Sequence, residues 1–441
     1  MPLWLISFEK RGYSDEKISV IIIGAGLRGM GYARIAKQMS ENYEVVAVAE
    51  PVADRRNYVK EMFSLPDERC FTDWREILAC GKIADAAFIC TMDRDHFAPT
   101  MKAIELGYDI MLEKPIAPTP EDCAAITKAA NERGVKVLIC HVLRFTPFYT
   151  RLKQLIMDGY VGDVQLIEQV EHVGLIHQSH SFVRGNWGNS ERSSTMLLQK
   201  SCHDIDIIQW LIDKECTRVS SFGSTGYFNE AHAPEGAPER CLEGCPAADT
   251  CPFNAEKVYV KSTSAWFRCS VTKKITTTDE EIEAAMWNTD YGKCVFRCDN
   301  DVVDHQVVNM EFEGGVLASF TMAAFNGWGG SRTIRIMGTK GMLVAKLGDP
   351  DIHYDNAAEG TTETIPVIGN TGDNTLVGGH GGGDNGIMGT FSYLVTDEYD
   401  GINAATIETS CKNHMIVFAA EEAREKGCVV DVREYAGRYG M

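Results

Sequence analysis

The chain has 441 residues, with 43 Lys and Arg against 62 Asp and Glu and a formal net charge of −19. A surface this negative repels phosphate backbones and anionic lipid, so neither nucleic acid nor membrane is expected as a partner. No apolar run reaches the roughly 18–20 residues that a membrane span needs, and the length allows two or three domains with sizeable cores.

The opening MPLWLISFEKRGYSDEK carries only a short apolar patch and no small-residue cleavage site, so no signal peptide is expected. From residue 18 to about 141, short wholly apolar strands alternate with amphipathic helices. The strands read Ile18–Ile23, Glu44–Ala49, Ala86–Cys90, Asp109–Leu112 and Val135–Cys140; helices such as Met30–Ser40, Pro99–Glu105 and Pro120–Arg133 lie between them. That pattern means a parallel sheet covered on both faces, a doubly wound α/β domain over residues 1–141.

Beyond residue 141 the strand-like runs lengthen and alternate with period two, as in DVQLIEQVEHVG, VVNMEFEGGVLASFTMAAF and SRTIRIMGTKGMLVAKL. Such alternation argues antiparallel strands with one wet face. EFEGGVLASF reads as a hairpin turning at Gly314-Gly315. With helices expected over Tyr149–Asp158 and Ser194–Ile212, residues 142–441 form an α+β second domain. Residues 224–300 read as a polar, Cys-bearing insertion, and 355–385, rich in Gly, Asn and Thr, as a long loop.

Strand Ile18–Ile23 runs straight into Gly24-Ala25-Gly26-Leu27-Arg28-Gly29. The first glycine permits a tight turn, the second lets a pyrophosphate approach the backbone, and the third lets helix and strand pack closely. The N–H groups at the start of the helix, from Leu27 and Arg28 on, then face the phosphates. Glu50, ending EVVAVAE 21 residues past Gly29, stands where a carboxylate grips the ribose hydroxyls. Glu50 would repel a 2′-phosphate and so favours NAD, while Arg55 and Arg56 leave NADP open.

Glu113-Lys114-Pro115 follows strand Asp109–Leu112, so Lys114 is aimed at the crevice where an open parallel sheet binds its ligand. An ammonium there can hold a hydroxyl and stabilise a developing alkoxide. Thr91 and His96 follow strand Ala86–Cys90; His96 either touches cofactor or caps the next helix. On the helix expected over Ser194–Ile212, Leu198, Cys202, Ile205, Ile208 and Ile212 make one apolar stripe, with Lys200, His203 and Asp204 clustered opposite within one turn. His203 is the natural general base, since an unperturbed imidazole titrates near neutral pH. Arg144 and Tyr149, near the domain crossover, are candidates for substrate contact or for linker packing.

The 15 cysteines are odd in number, and Cys90, Cys140 and Cys202 sit inside apolar runs. That fits free thiols in a reducing cytoplasm better than a disulfide framework. Cys241, Cys245 and Cys251 are close enough for zinc or an iron–sulfur cluster with a fourth ligand such as Cys269. Their spacing matches no C-x2-C pair, so loop thiols without metal are the expectation.

These residues resemble the Gfo/Idh/MocA oxidoreductase family over most of the chain: GAGLRGMGYARI, CTMDRDHFAPTMKAIELGYDIMLEKPIA, SCHDIDIIQWL, IRIMGTKGMLVA and HGGGDNGIM. The resemblance implies an N-terminal Rossmann domain and a C-terminal domain with a large, open, mostly antiparallel sheet. It also implies sugar or cyclitol substrates and homodimers or homotetramers packed through those sheets. It makes Lys114 the catalytic or substrate-orienting lysine and His203 the proton acceptor. Typical members carry an aspartate four residues before that histidine; here the position is Gln199, which cannot ionise and which marks a distinct subgroup.

The expected activity is therefore NAD(P)-dependent oxidation of a secondary hydroxyl of a sugar, cyclitol or glycoside. A redox-neutral hydrolase or lyase holding NAD tightly is the first alternative, and a non-catalytic dinucleotide sensor the second.

Overall fold

The computed structural model describes residues 17–326, 330–369, 380–399 and 401–441. They fall into two compact units: one drawn from Met1–Ala117, Glu121–Thr146 and Asp373–Cys411, the other from Pro118–Pro120, Pro147–Gly372 and Lys412–Met441. A single cut after residue 141 differs from this division, most of all in that the described residues 380–399 and 401–411 group with the first unit.

In the first unit β1 (Ile18–Ile23), β2 (Tyr43–Ala49), β3 (Cys70–Phe71), β4 (Ala86–Ile89), β5 (Asp109–Leu112) and β6 (Val137–Ile139) form a sheet in the order β3-β2-β1-β4-β5-β6. All its pairs are parallel. Every residue of β4 is buried, and in β1 all but Ser19, as helices on both faces require. The strand order reverses between β1 and β4, and such a switch point opens a crevice beyond the strands' carboxyl ends. The returning segment supplies the helix Gly383–Val395; Phe391 packs edge-on against Phe88 of β4 at 5.8 Å, and the Tyr43 hydroxyl donates to the Met388 carbonyl at 2.5 Å.

The second unit holds β7 (Val164–His172), β8 (Cys216–Ser224), β9 (His305–Phe312), β10 (Leu317–Ala323), β11 (Ser331–Gly338), β12 (Gly341–Lys346), β13 (Asp351–Asn356), β14 (Thr361–Pro366) and β15 (Val430–Asp431). Their order is β14-β13-β12-β11-β7-β10-β9-β8-β15, and β7–β10 is the one parallel pair among the described strands of this sheet. The β9–β10 hairpin turns at Gly314 and Gly315, whose φ values of 74° and 76° suit glycine.

Two expectations are corrected. The stretch 355–385 is not one loop: β14 pairs with β13 and the helix Gly383–Val395 begins within it, while 370–379 lie outside the described residues. The helix expected over Ser194–Ile212 is two, Met196–Gln199 and Cys202–Ile212, broken at Lys200-Ser201. Residues 225–300 add no strand to either described sheet; they carry short helices, including Ala265–Thr272 and Asp279–Asn288, around two small apolar clusters.

Candidate active site

The dinucleotide cradle is built by backbone. Gly24 has φ 88°, and a Cβ on it would meet the Cys90 carbonyl oxygen at 2.6 Å; a Cβ on Gly29 would stand 2.0 Å from the Gly24 oxygen. Both positions require glycine so that β1, β4 and the helix Leu27–Gln38 can close together. Gly26 differs. The nearest atom to its added Cβ is Arg55 Nη1 at 3.8 Å, so open space lies before it. Gly26 is also the N-cap, with no side chain to satisfy the first N–H groups. Uncapped donors beside open space are what a pyrophosphate needs, and the residues present fit NAD.

Glu50 is buried, and its Oε2 accepts the Ala25 N–H at 2.7 Å while Oε1 accepts the Val52 N–H at 2.9 Å. It thus fixes the loop as well as standing at the end of β2. Arg56 Nη1 donates to the Glu50 carbonyl at 2.5 Å, whereas Arg55 reaches toward Gly26.

The Arg28 side chain is bound into a separate polar group, leaving its backbone N–H at the helix start. Its Nε donates to Glu113 Oε1 at 2.6 Å, and Nη2 and Nη1 donate to Asp384 Oδ1 and Oδ2 at 2.7 and 3.1 Å. Tyr32 and His380 complete the group. Burial pushes the Glu113 carboxyl up, but Arg28 overrides it and holds the group below its ordinary value; Arg28 and His380 do the same to Asp384. Glu113 therefore serves this clasp through Arg28, and its Oε2 also accepts the Lys114 N–H at 3.1 Å. Lys114 follows β5 at its carboxyl end, half-buried. His96 is wholly buried and stands at the N-cap of the helix Phe97–Leu106, but its side chain makes no cap bond: its ring nitrogens lie against the Pro115 carbonyl (Nδ1, 2.7 Å) and the Thr91 carbonyl (Nε2, 3.2 Å), tying the β4 and β5 loops together. Thr91 Oγ1 donates to the Asp95 carbonyl at 3.0 Å. Arg144, buried, reaches the Ala404 carbonyl at 3.5 Å within the first unit.

In the second unit the polar side of the His203 helix is not a wet face. His203 is 8% exposed and Asp204 0%. Asp204 Oδ1 accepts from Arg332 Nε at 2.7 Å and from Gln169 Nε2 at 2.6 Å, and its Oδ2 accepts from Arg332 Nη2 at 3.0 Å. Arg332 also pairs with Glu171, its register partner on β7, and Lys200 Nζ stands 3.5 Å from Glu171 Oε1. Burial raises the Glu171 carboxyl above its ordinary value, and Asp204 adds to the rise against the pull of Arg332 and Lys200. Tyr149 is buried within reach of the same charges, its hydroxyl held protonated by burial. Sequence reading brought Lys200, His203 and Asp204 together but missed Gln169, Glu171 and Arg332, which lie on strands far along the chain. It also missed Asp206, whose Oδ1 accepts from Asn413 Nδ2 at 3.0 Å.

Cys269, suggested as a fourth thiolate, donates instead to the Ile275 carbonyl at 3.4 Å. Among the described residues, no three or more His, Cys, Asp or Glu side chains are assembled to hold a metal as they stand.

A Gly-built pyrophosphate cradle on a 3-2-1-4-5-6 sheet defines a dinucleotide-dependent enzyme class. Residues 18–141 match the oxidoreductase family with NAD-binding Rossmann fold, and residues 153–410 match that family's C-terminal alpha/beta domain. The chain belongs to this Gfo/Idh/MocA oxidoreductase family, and it is an NAD-dependent oxidoreductase.

Three relatives illustrate its range. It is 25% identical to the putative oxidoreductase YteT of Bacillus subtilis over 82% of this chain and 86% of that one. It is 26% identical to an inositol 2-dehydrogenase/D-chiro-inositol 3-dehydrogenase of Halalkalibacterium halodurans, over 45% of this chain and 54% of the other. To 2,7-anhydro-N-acetylneuraminate hydratase of Escherichia coli it is 26% identical, over 49% and 55%. The last two likenesses span about half of each relative's length.

Proposed function

We propose that the chain oxidises a secondary hydroxyl of a sugar or cyclitol, with His203 taking the hydroxyl proton and Lys114 steadying the oxygen. Bound NAD supplies the redox chemistry. Lys114 stands at the carboxyl end of β5, on the side where such sheets bind ligands. The observation that carries the reading is the buried polar group beside the helix that carries His203. Asp204, Glu171, Arg332 and Lys200 are brought into a sheet face that apolar side chains would fill at less cost. Functional sites are where such arrangements concentrate. Within it Asp204, fixed by Arg332 and Gln169, anchors the first turn of the His203 helix, and Lys200 and Tyr149 offer donors to a polyol. Substrate contact by Arg144 and cofactor contact by Thr91 and Leu27 belong to the same reading, as does assembly as a homodimer or homotetramer. Phe222, Val307 and Leu317, exposed on neighbouring strands β8, β9 and β10, support that assembly.

The test is NADH formation across a panel of inositols and free sugars. His203→Ala should lower turnover by roughly 10²–10⁴ while leaving NAD binding intact; a change of only a few-fold would remove His203 from the chemistry. The likeness to a hydratase favours one second reading, redox-neutral lyase or hydrolase action. Tightly retained NAD, with elimination from an anhydro-sugar or glycoside and no net NADH, would establish it instead.

A further inference from the structure

The region 224–300 holds its shape with two small apolar clusters. One is centred on Phe228, Phe253 and Phe296, the other on Tyr259, Ile282 and Met286. Cores of this size commonly need an added tie. Four cysteines stand where one can be made. Arg240 and Lys293 pair in a single antiparallel bridge, and the Cys294 N–H donates to the Glu239 carbonyl at 2.8 Å, which sets Cys241 and Cys294 on adjacent stretches of backbone. Turns closed by the Ala248 N–H on the Cys245 carbonyl (3.1 Å) and the Cys251 N–H on the Ala247 carbonyl (2.8 Å) bring the other two back. Cys241, Cys245, Cys251 and Cys294 line one cavity of about 10 Å³. That is room for about one ion or water and too little for an organic ligand or an iron–sulfur cluster.

A second observation points into the same cavity. Arg184 forms part of its wall and is 3% exposed. Its Nε donates to the Lys293 carbonyl at 2.7 Å and its Nη2 to Cys241 Sγ at 3.4 Å, but Nη1 is buried with no acceptor. The guanidinium also lies over the Tyr259 ring, 5.8 Å from its centroid, but burial holds that hydroxyl protonated, so it brings no negative charge. A permanent cation in a low-dielectric interior is costly unless an anion faces it. Of the residues lining this cavity, only the cysteines can become anions.

We propose that Cys241, Cys245, Cys251 and Cys294 bind one zinc ion as a structural site of the second unit. The four thiols release their protons to solvent as four Zn–S bonds form, and Arg184 offsets part of the resulting negative charge. A tetrahedral all-thiolate set suits Zn²⁺, and its binding energy becomes folding energy. As described, the four thiols do not converge on one point. Each has a single side-chain torsion, so closure is a rotation of sulfurs already lining the wall. Cys298 is left out of the set because it does not line the cavity; its thiol bond to the Cys294 carbonyl does not by itself distinguish it, since Cys241 Sγ also reaches the Lys293 carbonyl at 3.9 Å.

The experiment is metal analysis of the full-length protein purified under reducing conditions, followed by replacement with Co²⁺. One zinc per chain is expected. Cobalt should give the intense charge-transfer and d–d absorption of a tetrahedral thiolate site, and chelation should lower Tm. Cys251→Ser and Cys245→Ser should each lose the metal, and Cys298→Ser should keep it. Failure of the reduced wild-type chain to take up zinc or cobalt would overturn the proposal without recourse to any variant. So would iron with sulfide, a disulfide among the four cysteines, or full zinc retention in Cys251→Ser.

Discussion

Each unit sets an arginine between two buried carboxylates, and the two clusters differ in balance. In the first, Arg28 sits between Glu113 and Asp384, and both carboxyls are held below their ordinary values. In the second, Arg332 sits between Glu171 and Asp204, and Glu171 is raised. The first is an electrostatically satisfied clasp joining the helix Leu27–Gln38, the β5 end and the helix Gly383–Val395. The second leaves a buried carboxyl with an incentive to keep its proton, beside the helix that carries His203. The difference is not one of formal charge, since Lys200 gives the second cluster a cation that the first lacks; it lies in how far burial outweighs the facing cations, which it does at Glu171 and does not at Glu113 or Asp384.

The largest effect should come from removing the second arginine. Arg332→Ala leaves Asp204 and Glu171 buried with Lys200 as their remaining cation, and should cost about 3–5 kcal/mol in urea unfolding. Arg332→Lys should recover only part, because an ammonium cannot reproduce the two-point grip on Asp204. A loss below about 1 kcal/mol would mean that the network is hydrated and the contrast with the clasp unfounded.

Next is the acid limb of the clasp. Asp384 has an ordinary value of 3.8 and lies below it when folded, so its contribution is present above that pH and is lost as pH falls through and below it. Asp384→Asn should therefore destabilise on the order of 2 kcal/mol at neutral pH, and the gap from wild type should close in acid. A gap independent of pH would assign the loss to packing rather than charge.

The clasp and the network also show what the sequence could and could not disclose. The β1–glycine–helix passage was legible because its signals are local: a buried apolar strand, glycines three and two residues apart, and a carboxylate at the end of the next strand. The β9–β10 hairpin was legible for the same reason. The network was not, because β7 misleads. Its buried face reads Ile167, Gln169, Glu171, while the more apolar Leu166 and Val170 lie half-buried on the other. Only pairing with Arg332 on β11, fixed by long-range register, makes the polar face the inner one. The sequence sets Asp204 in a cluster opposite an apolar stripe because the helix is read there as one amphipathic piece. The break at Lys200-Ser201 starts a new helix, and Cys202–Ile212 is buried nearly all round. Asp384 and His380 likewise belong to a segment whose return to the first unit no local pattern announces.

The smallest expected change in stability is the one that most sharpens the comparison. Glu171 has an ordinary value of 4.5 and is raised above it in the folded chain. The folded state then keeps a proton that the unfolded state gives up. Its contribution is full below about pH 4.5 and is lost as pH rises through the raised value, opposite in sign to Asp384. Glu171→Gln makes the neutral form permanent and leaves Arg332 paired with Asp204. Stability at neutral pH should stay within about 1 kcal/mol of wild type, or rise, and the variant should lose this part of the pH slope. If the imbalance serves catalysis, turnover should nonetheless fall, on the order of tenfold, as expected where a strained site is traded for stability. A variant that loses both stability and its acid sensitivity would show the second cluster to be another clasp, and the functional role assigned to its imbalance would go with it.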